Sequence, residues 1–401
     1  MAFAHLCASL PLERAIDQFR RFTISQLRIS RSLQGRAAQR YSILAAALMV
    51  AGFISATVVP AYAAQDAIGK SEITSVKCRT TGLPGGSCYR IAIEDCAQAT
   101  AEFAAAVKIN EPPDLAELKG TVFFTVGGGG TPFYDYDTDF MGNPACPGEN
   151  CGLMVVQSIN AANYRTVQID FVDPSNKIKE PAGWLSGPAA DGPRALACRY
   201  STIVNAVWAG LLNGDTTHPY CATGNSGGSA LVAYSITQYG MGNPGGPGPM
   251  FTMVEPTSGP PYARIDHGCA GRTAPKFNVS CPAGAELSEN YGLKIAASYV
   301  DPAYPSDVCT ADIQSNGKDS YPNFHHDSVL SDDFPAPSYQ TNVKVLFGSD
   351  DLGSPVPLGT EWFNAITSSK AAACIAGAPH ELPGNYDGAI AIVNDITTLC
   401  Q

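Results

Sequence analysis

Residues 224–229 read Gly-Asn-Ser-Gly-Gly-Ser, so Ser226 stands in a G-x-S-x-G pattern. That spacing suits a strained strand-to-helix turn, which exposes a serine hydroxyl and needs small neighbours. A hydroxyl becomes an effective nucleophile when an imidazole accepts its proton. A carboxylate behind the imidazole fixes its tautomer and stabilises its charged form. Both partners follow in the chain. Asp351 closes Phe-Gly-Ser-Asp-Asp at 347–351, with Asp350 as the alternative acid, and His380 stands in Ala-Pro-His-Glu-Leu at 378–382. The order serine, acid, histidine is complete, and the chemistry it would perform is acyl transfer.

Such residues must be held at one edge by regular elements. Thr121–Val126 reads as a buried strand running into four glycines, Gly127–Gly130. Val167–Val172, Met250–Val254 and Val343–Phe347 read as further strands. Leu196–Leu212 carries apolar residues at helical spacing, Ser229–Tyr239 is free of proline up to Gly240, and Tyr386–Leu399 reads as a last helix. The strand before the serine, Tyr220–Thr223, is short and weak by propensity. This alternation predicts an α/β fold with a mostly parallel sheet. The serine and the acid then lie beyond the carboxyl ends of strands on the same edge. Residues 256–341 are too long for a plain connection and predict a lid or insertion. Within it Pro260-Pro261, Arg264 and His325-His326 are candidates to line a pocket, set against surface and packing roles.

The same six letters also resemble the GDSGGP-like loop of trypsin-type proteases. That design places its histidine and acid before the serine. Between residue 64 and Ser226 the only histidine is His218, eight residues from the serine, and Ser229 stands where that loop has proline. The protease reading fails on those counts.

The three stretches together, GNSGG at 224–228, FGSDD at 347–351 and APHEL at 378–382, resemble the α/β-hydrolase superfamily over roughly residues 75–401. The resemblance implies an eight-stranded, mostly parallel central sheet flanked by helices, with a disulfide-bearing lid or insertion. It implies Ser226 as nucleophile, His380 as base and Asp351 (or Asp350) as acid. It also implies an oxyanion hole made by the N–H of Gly227 and one N–H from the loop after an early strand. Here the loop is VGGGG rather than HGGG, so Gly129, Gly130 and Thr131 are all candidates for the second donor. A phosphate cradle is the alternative for these glycines, but no G-K-[ST] follows. This chemistry needs neither metal nor organic cofactor. Asp135, Asp137 and Asp139 begin like a calcium loop, yet Phe140 stands where such loops use glycine, which favours a solvated acidic loop.

Composition bounds the rest. The chain has 401 residues, 45% hydrophobic and 15% charged, enough for one large domain or two smaller ones. Residues 1–63 hold seven arginines and no lysine, an apolar run at 43–59, and Ala61-Tyr62-Ala63. This predicts a secretory signal cleaved before Ala64, leaving 64–401 as the hydrolase domain; an uncleaved membrane anchor at 43–59 is the alternative. The remaining 18 basic and 34 acidic residues leave a net charge of −16, which argues against nucleic acid as a partner. Twelve of the 13 cysteines follow the leader, an even number that predicts disulfides in an oxidising compartment, secreted or periplasmic. Local spacing favours Cys146–Cys151, Cys269–Cys281 and Cys374–Cys400, and no C-x2-C pair suggests a structural zinc. The functional expectation is a secreted hydrolase of small-molecule or polymeric carboxylic esters, with no membrane partner beyond the signal segment. A peptidase or thioesterase on the same fold and a non-catalytic binding module are the alternatives. Oligomeric state is not legible.

Overall fold

A computed structural model describes residues 65–78, 82–96, 103–137, 140, 146, 150–175, 183–185, 192–270, 281, 293–317 and 320–401. The leader, its apolar run at 43–59 and Asp139 lie outside the described residues. No helix among the described residues is long and apolar enough to cross a membrane.

The strands are β1 (Lys70–Val76), β2 (Ser87–Glu94), β3 (Phe103–Asn110), β4 (Gly120–Thr125), β5 (Tyr164–Asp170), β6 (Tyr220–Asn225), β7 (Phe251–Thr257), β8 (Asn342–Gly348) and β9 (Lys370–Ile375). They form a 9-stranded sheet in the order β1-β2-β3-β5-β4-β6-β7-β8-β9. Pairings from β1 to β2, β3 and β5 are antiparallel, and every pairing from β5 through β4 to β9 is parallel. The described sheet therefore has nine strands, not the eight expected. Strand β9 (KAAACI) and β3 (FAAAVKIN) are alanine-rich, so propensity alone does not mark them.

Period-two alternation sorts the two faces. On β4, Val122 and Phe124 join one core cluster and Phe123 the other. The first cluster packs under α1 (Cys151–Ala161) and a last helix at Tyr386–Leu399, as expected. The second is covered by α2 (Gly192–Leu196), α3 (Cys198–Ala206) and α4 (Gly227–Thr237). The long helix expected at 196–212 is thus two pieces, followed by a π-helical turn at Val207–Leu211. Every residue of α4 is buried, which is why GGSALVAYSIT shows no polar face.

Between β7 and β8 the chain leaves the sheet through α5 (Ile265–Ala270), α6 (Leu293–Val300), α7 (Val308–Ser315) and α8 (Phe324–Asp327). This is the expected insertion, beginning after Thr257. Helices α9 (Pro355–Ala365) and α10 (Tyr386–Leu399) follow β8 and β9. Cys146–Cys151 pairs as local spacing suggests. The other two expected pairings are corrected: Cys269 joins Cys309, Cys281 joins Cys374, and Cys400 joins Cys221. Cys269 and Cys309 lie on α5 and α7, two helices that pack together, while Cys400 ends α10 in the same core cluster as Cys221 of β6. Cys78–Cys88 and Cys96–Cys198 complete the set, so all 12 cysteines after the leader are paired.

Candidate active site

The switch point of the sheet fixes where the site lies. After β4 the chain runs to β5 on one side and later to β6 on the other, which opens a crevice at the carboxyl ends of β4 and β6. Residues 127–130 leave β4 there, and Ser226 leaves β6 beside them.

Ser226 has φ 50° and ψ −115°, left-handed backbone that a side chain adopts only under strain. Its N–H donates to the Thr257 carbonyl of β7 at 2.9 Å, which anchors the turn to the neighbouring strand. The flanking glycines are demanded by close approach. A Cβ on Gly228 would lie 2.6 Å from the Val126 carbonyl oxygen, and one on Gly224 would collide with Thr125 Oγ1. The weak strand before the serine therefore runs through Tyr220–Asn225, held by β4 and β7 on either side.

Loops after β8 and β9 carry the other two residues. His380 Nε2 lies 2.8 Å from Ser226 Oγ, and His380 Nδ1 lies 2.8 Å from Asp351 Oδ2. Asp351 is buried, and its other oxygen accepts the Gly353 N–H at 2.9 Å. Asp350 is exposed and receives the Ser349 hydroxyl, so between the two acids it is Asp351 that faces His380. Burial works to lower the His380 imidazole. The hydrogen bond and charge of Asp351, with Glu381 adding to them, outweigh it and hold the imidazole above its ordinary value. Ser349 latches the two loops: its N–H donates to Ile375 and its Oγ accepts the Gly377 N–H at 2.7 Å. Sequence reasoning missed this role; adjacency to Asp350-Asp351 was its only signal.

The glycine loop engages one of the expected donors elsewhere. The Gly130 N–H is used to close a turn on the Gly127 carbonyl at 2.9 Å, and a Cβ on Gly130 would face Phe171 and Trp184 in the core. The Gly129 carbonyl accepts from the Trp184 N–H at 2.9 Å. Gly128 instead lines the cleft with Ser226 and Gly227, and it was not among the expected donors. A run of four glycines does not reveal which amide is spent, because that depends on the turn Gly127–Gly130 forms.

The cleft has a volume of about 420 Å³ counted out to its open mouth. The insertion supplies Pro261, Tyr262, Ile265, Tyr299 and Val300 to it, while Ser354, Pro355 and Leu358 come from the start of α9. Of the other candidates, Arg264 pairs with Asp266, His325 with Asp332 and His326 with Asp327, and none of the three lines the cleft. Asp135 is ion-paired with Lys108 at 2.7 Å in the interior. Among the described residues no group of three or more His, Cys, Asp or Glu side chains is arranged to hold a metal ion.

A sheet of this order, with a left-handed serine between β6 and α4, an acid after β8 and a histidine after β9, is an α/β-hydrolase fold. Solved structures similar to this chain include the acylaminoacyl peptidase of Pyrococcus horikoshii, at TM-score 0.46 and 11% identity, covering 86% of this chain and 42% of that one. A dienelactone hydrolase from Anabaena variabilis matches at TM-score 0.37 and 11% identity, over 83% of this chain and 97% of the other. The esterase domain of a Rhodothermus marinus protein matches at TM-score 0.39 and 11% identity, over 78% and 99%. No family model matches the chain, and no curated protein matches it.

Proposed function

We propose that the protein is a serine hydrolase of carboxylic esters, exported from the cell, and that Ser226, His380 and Asp351 are its catalytic triad. The observation that carries this reading is the continuous hydrogen-bonded line from Asp351 through His380 to Ser226, at 2.8 Å and 2.8 Å. Ser226 Oγ attacks the ester carbonyl carbon while His380 Nε2 takes its proton. The carbonyl oxygen becomes an oxyanion, received by the N–H groups of Gly227 and Gly128. The imidazolium then gives its proton to the departing alcohol, leaving an acyl group on Ser226. Water attacks that acyl-enzyme, His380 again takes the proton, and the carboxylic acid leaves as Ser226 recovers its hydrogen. Asp351 holds the ring's tautomer and stabilises the imidazolium.

Export is supported by the leader composition and by the six disulfides that pair the cysteines beyond it. The enzymatic test is Ser226→Ala. It should abolish both p-nitrophenyl ester turnover and labelling by a fluorophosphonate. Full activity in that variant would overturn the assignment.

A further inference from the structure

We propose that the cleft beside Ser226 selects esters whose short, uncharged acyl group bears one hydrogen-bonding oxygen, and that Ser354 reads that oxygen. The inference rests on the ester-hydrolase reading of Ser226 and goes beyond it to the class of substrate.

Two properties of the cleft carry it. Among the described residues none of those lining it is charged. A carboxylate or ammonium on the acyl group would lose its water there without gaining a counter-ion, which is costly in an apolar setting. The walls Pro261, Ile265, Val300, Pro355 and Leu358 suit carbon instead, and with the open mouth left out the space they enclose takes little more than a water-sized group. A short acyl chain fits better than a long one.

The second property is an unspent hydroxyl. Ser354 is 1% exposed, lines the cleft, and its Oγ takes no hydrogen-bond partner among the described residues. A serine at the start of a helix ordinarily caps it by accepting an N–H from the first turn. Ser354 does not. Its own backbone is helical (φ −61°, ψ −25°), where capping residues are extended, and the third residue of α9 is Pro357, which has no N–H to offer. The hydroxyl is therefore left for whatever enters the cleft. The other buried hydroxyls on the wall are already committed, Tyr262 donating to the Tyr299 carbonyl at 3.2 Å and Ser226 paired with His380 Nε2. Plain alkyl acyl groups would bury Ser354 Oγ without a partner, whereas a hydroxyl or ether oxygen on the acyl chain accepts its hydrogen. The acyl side is the relevant one because that half of the substrate stays bonded to Ser226.

The test compares kcat/KM for p-nitrophenyl butyrate and p-nitrophenyl 3-hydroxybutyrate in the native enzyme, Ser354→Ala and Ser354→Thr, with fluorophosphonate labelling of Ser226 to count active sites. The native enzyme should prefer the hydroxyacyl ester by about tenfold, the worth of one buried hydrogen bond made or missed. Ser354→Ala should remove that preference from both sides, raising kcat/KM for butyrate, which no longer buries an unpaired hydroxyl, and lowering it for the hydroxyacyl ester, and Ser354→Thr, which keeps the hydroxyl, should restore it. The proposal is overturned if Ser354→Ala lowers both esters equally. It is also overturned if the native enzyme shows no preference, or if selectivity follows an oxygen on the alcohol half, as in ethyl against 2-hydroxyethyl butyrate. Normal Ser226 labelling alongside those results keeps the ester-hydrolase reading and removes only the role of Ser354. An unlabelled native enzyme removes both.

Discussion

Asp351→Asn isolates what the buried carboxylate does. Asparagine has the same shape, so the fold around it is kept, but it carries one acceptor and one donor where aspartate has two acceptors. In the native protein Oδ1 accepts from Gly353 N–H and Oδ2 accepts from His380 Nδ1. If the asparagine oxygen keeps the Gly353 bond, its NH2 faces Nδ1. The imidazole must then carry its hydrogen on Nε2, where it cannot accept the Ser226 proton. If the amide flips, NH2 faces the Gly353 N–H and a buried donor is lost, costing about 1–3 kcal/mol. The imidazolium also loses its counter-charge. Two unit charges about 4 Å apart at an effective dielectric near 20 attract by about 4 kcal/mol, which is roughly a thousandfold in rate. With the wrong tautomer added, kcat/KM should fall by about a thousand- to ten-thousandfold.

The pH profile gives an independent readout. Only neutral His380 can take the serine proton, so activity is lost as pH falls through its pKa. In the native enzyme that value is held up by Asp351, and the acid limb should lie above the ordinary imidazole value of about 6.5. In Asp351→Asn the raising contribution of Asp351 is gone while burial remains, so the limb should move to lower pH. The assay is kcat/KM for a p-nitrophenyl ester from acid to neutral pH, with Asp350→Asn as the exposed control and expected within about threefold of native. A variant at Asp351 that keeps a tenth of native activity, or a control that falls as far, would refute the reasoning.

Two further outcomes test the scaffold. Cys221–Cys400 closes a separation of 179 residues and ties α10 to the strand that leads into Ser226. Replacing both cysteines by alanine should lower stability by about 3–5 kcal/mol in denaturant unfolding without reductant, and an unchanged midpoint would contradict the constraint argument. Lys108→Met should cost about 3–5 kcal/mol by the same measurement, because Asp135, whose side chain is fully buried, would lose the cation it is paired with. Pairing Lys108→Met with Asp135→Leu should recover much of that loss, and a double variant worse than the single would show that the ion pair is not the cause.

The amino-acid sequence by itself determined the order of the chemistry. Ser226 is legible because the turn that strains it is a local event, and the glycines it needs are its immediate neighbours. Asp351 and His380 are legible because each follows a strand in a loop, and strand ends are where an α/β sheet presents its side chains. Strands rich in branched and aromatic residues, such as β4 and β8, declared themselves, while alanine-rich β3 and β9 did not, because they are held as strands by their neighbours and not by propensity.

Other features were decided only in three dimensions. Asp351 rather than Asp350 faces His380 because one lies inward and the other outward on the same loop. Gly128 lines the cleft, while the Gly130 amide is consumed by the turn onto Gly127. Cysteines pair by the distance between folded elements, so Cys400 bypassed Cys374, 26 residues away, for Cys221, 179 residues away. Among the described residues the Ser354 hydroxyl is left uncommitted because its own backbone is already helical and Pro357 has no N–H to offer, and that matters only because packing set the start of α9 on the wall of the cleft with Ser226.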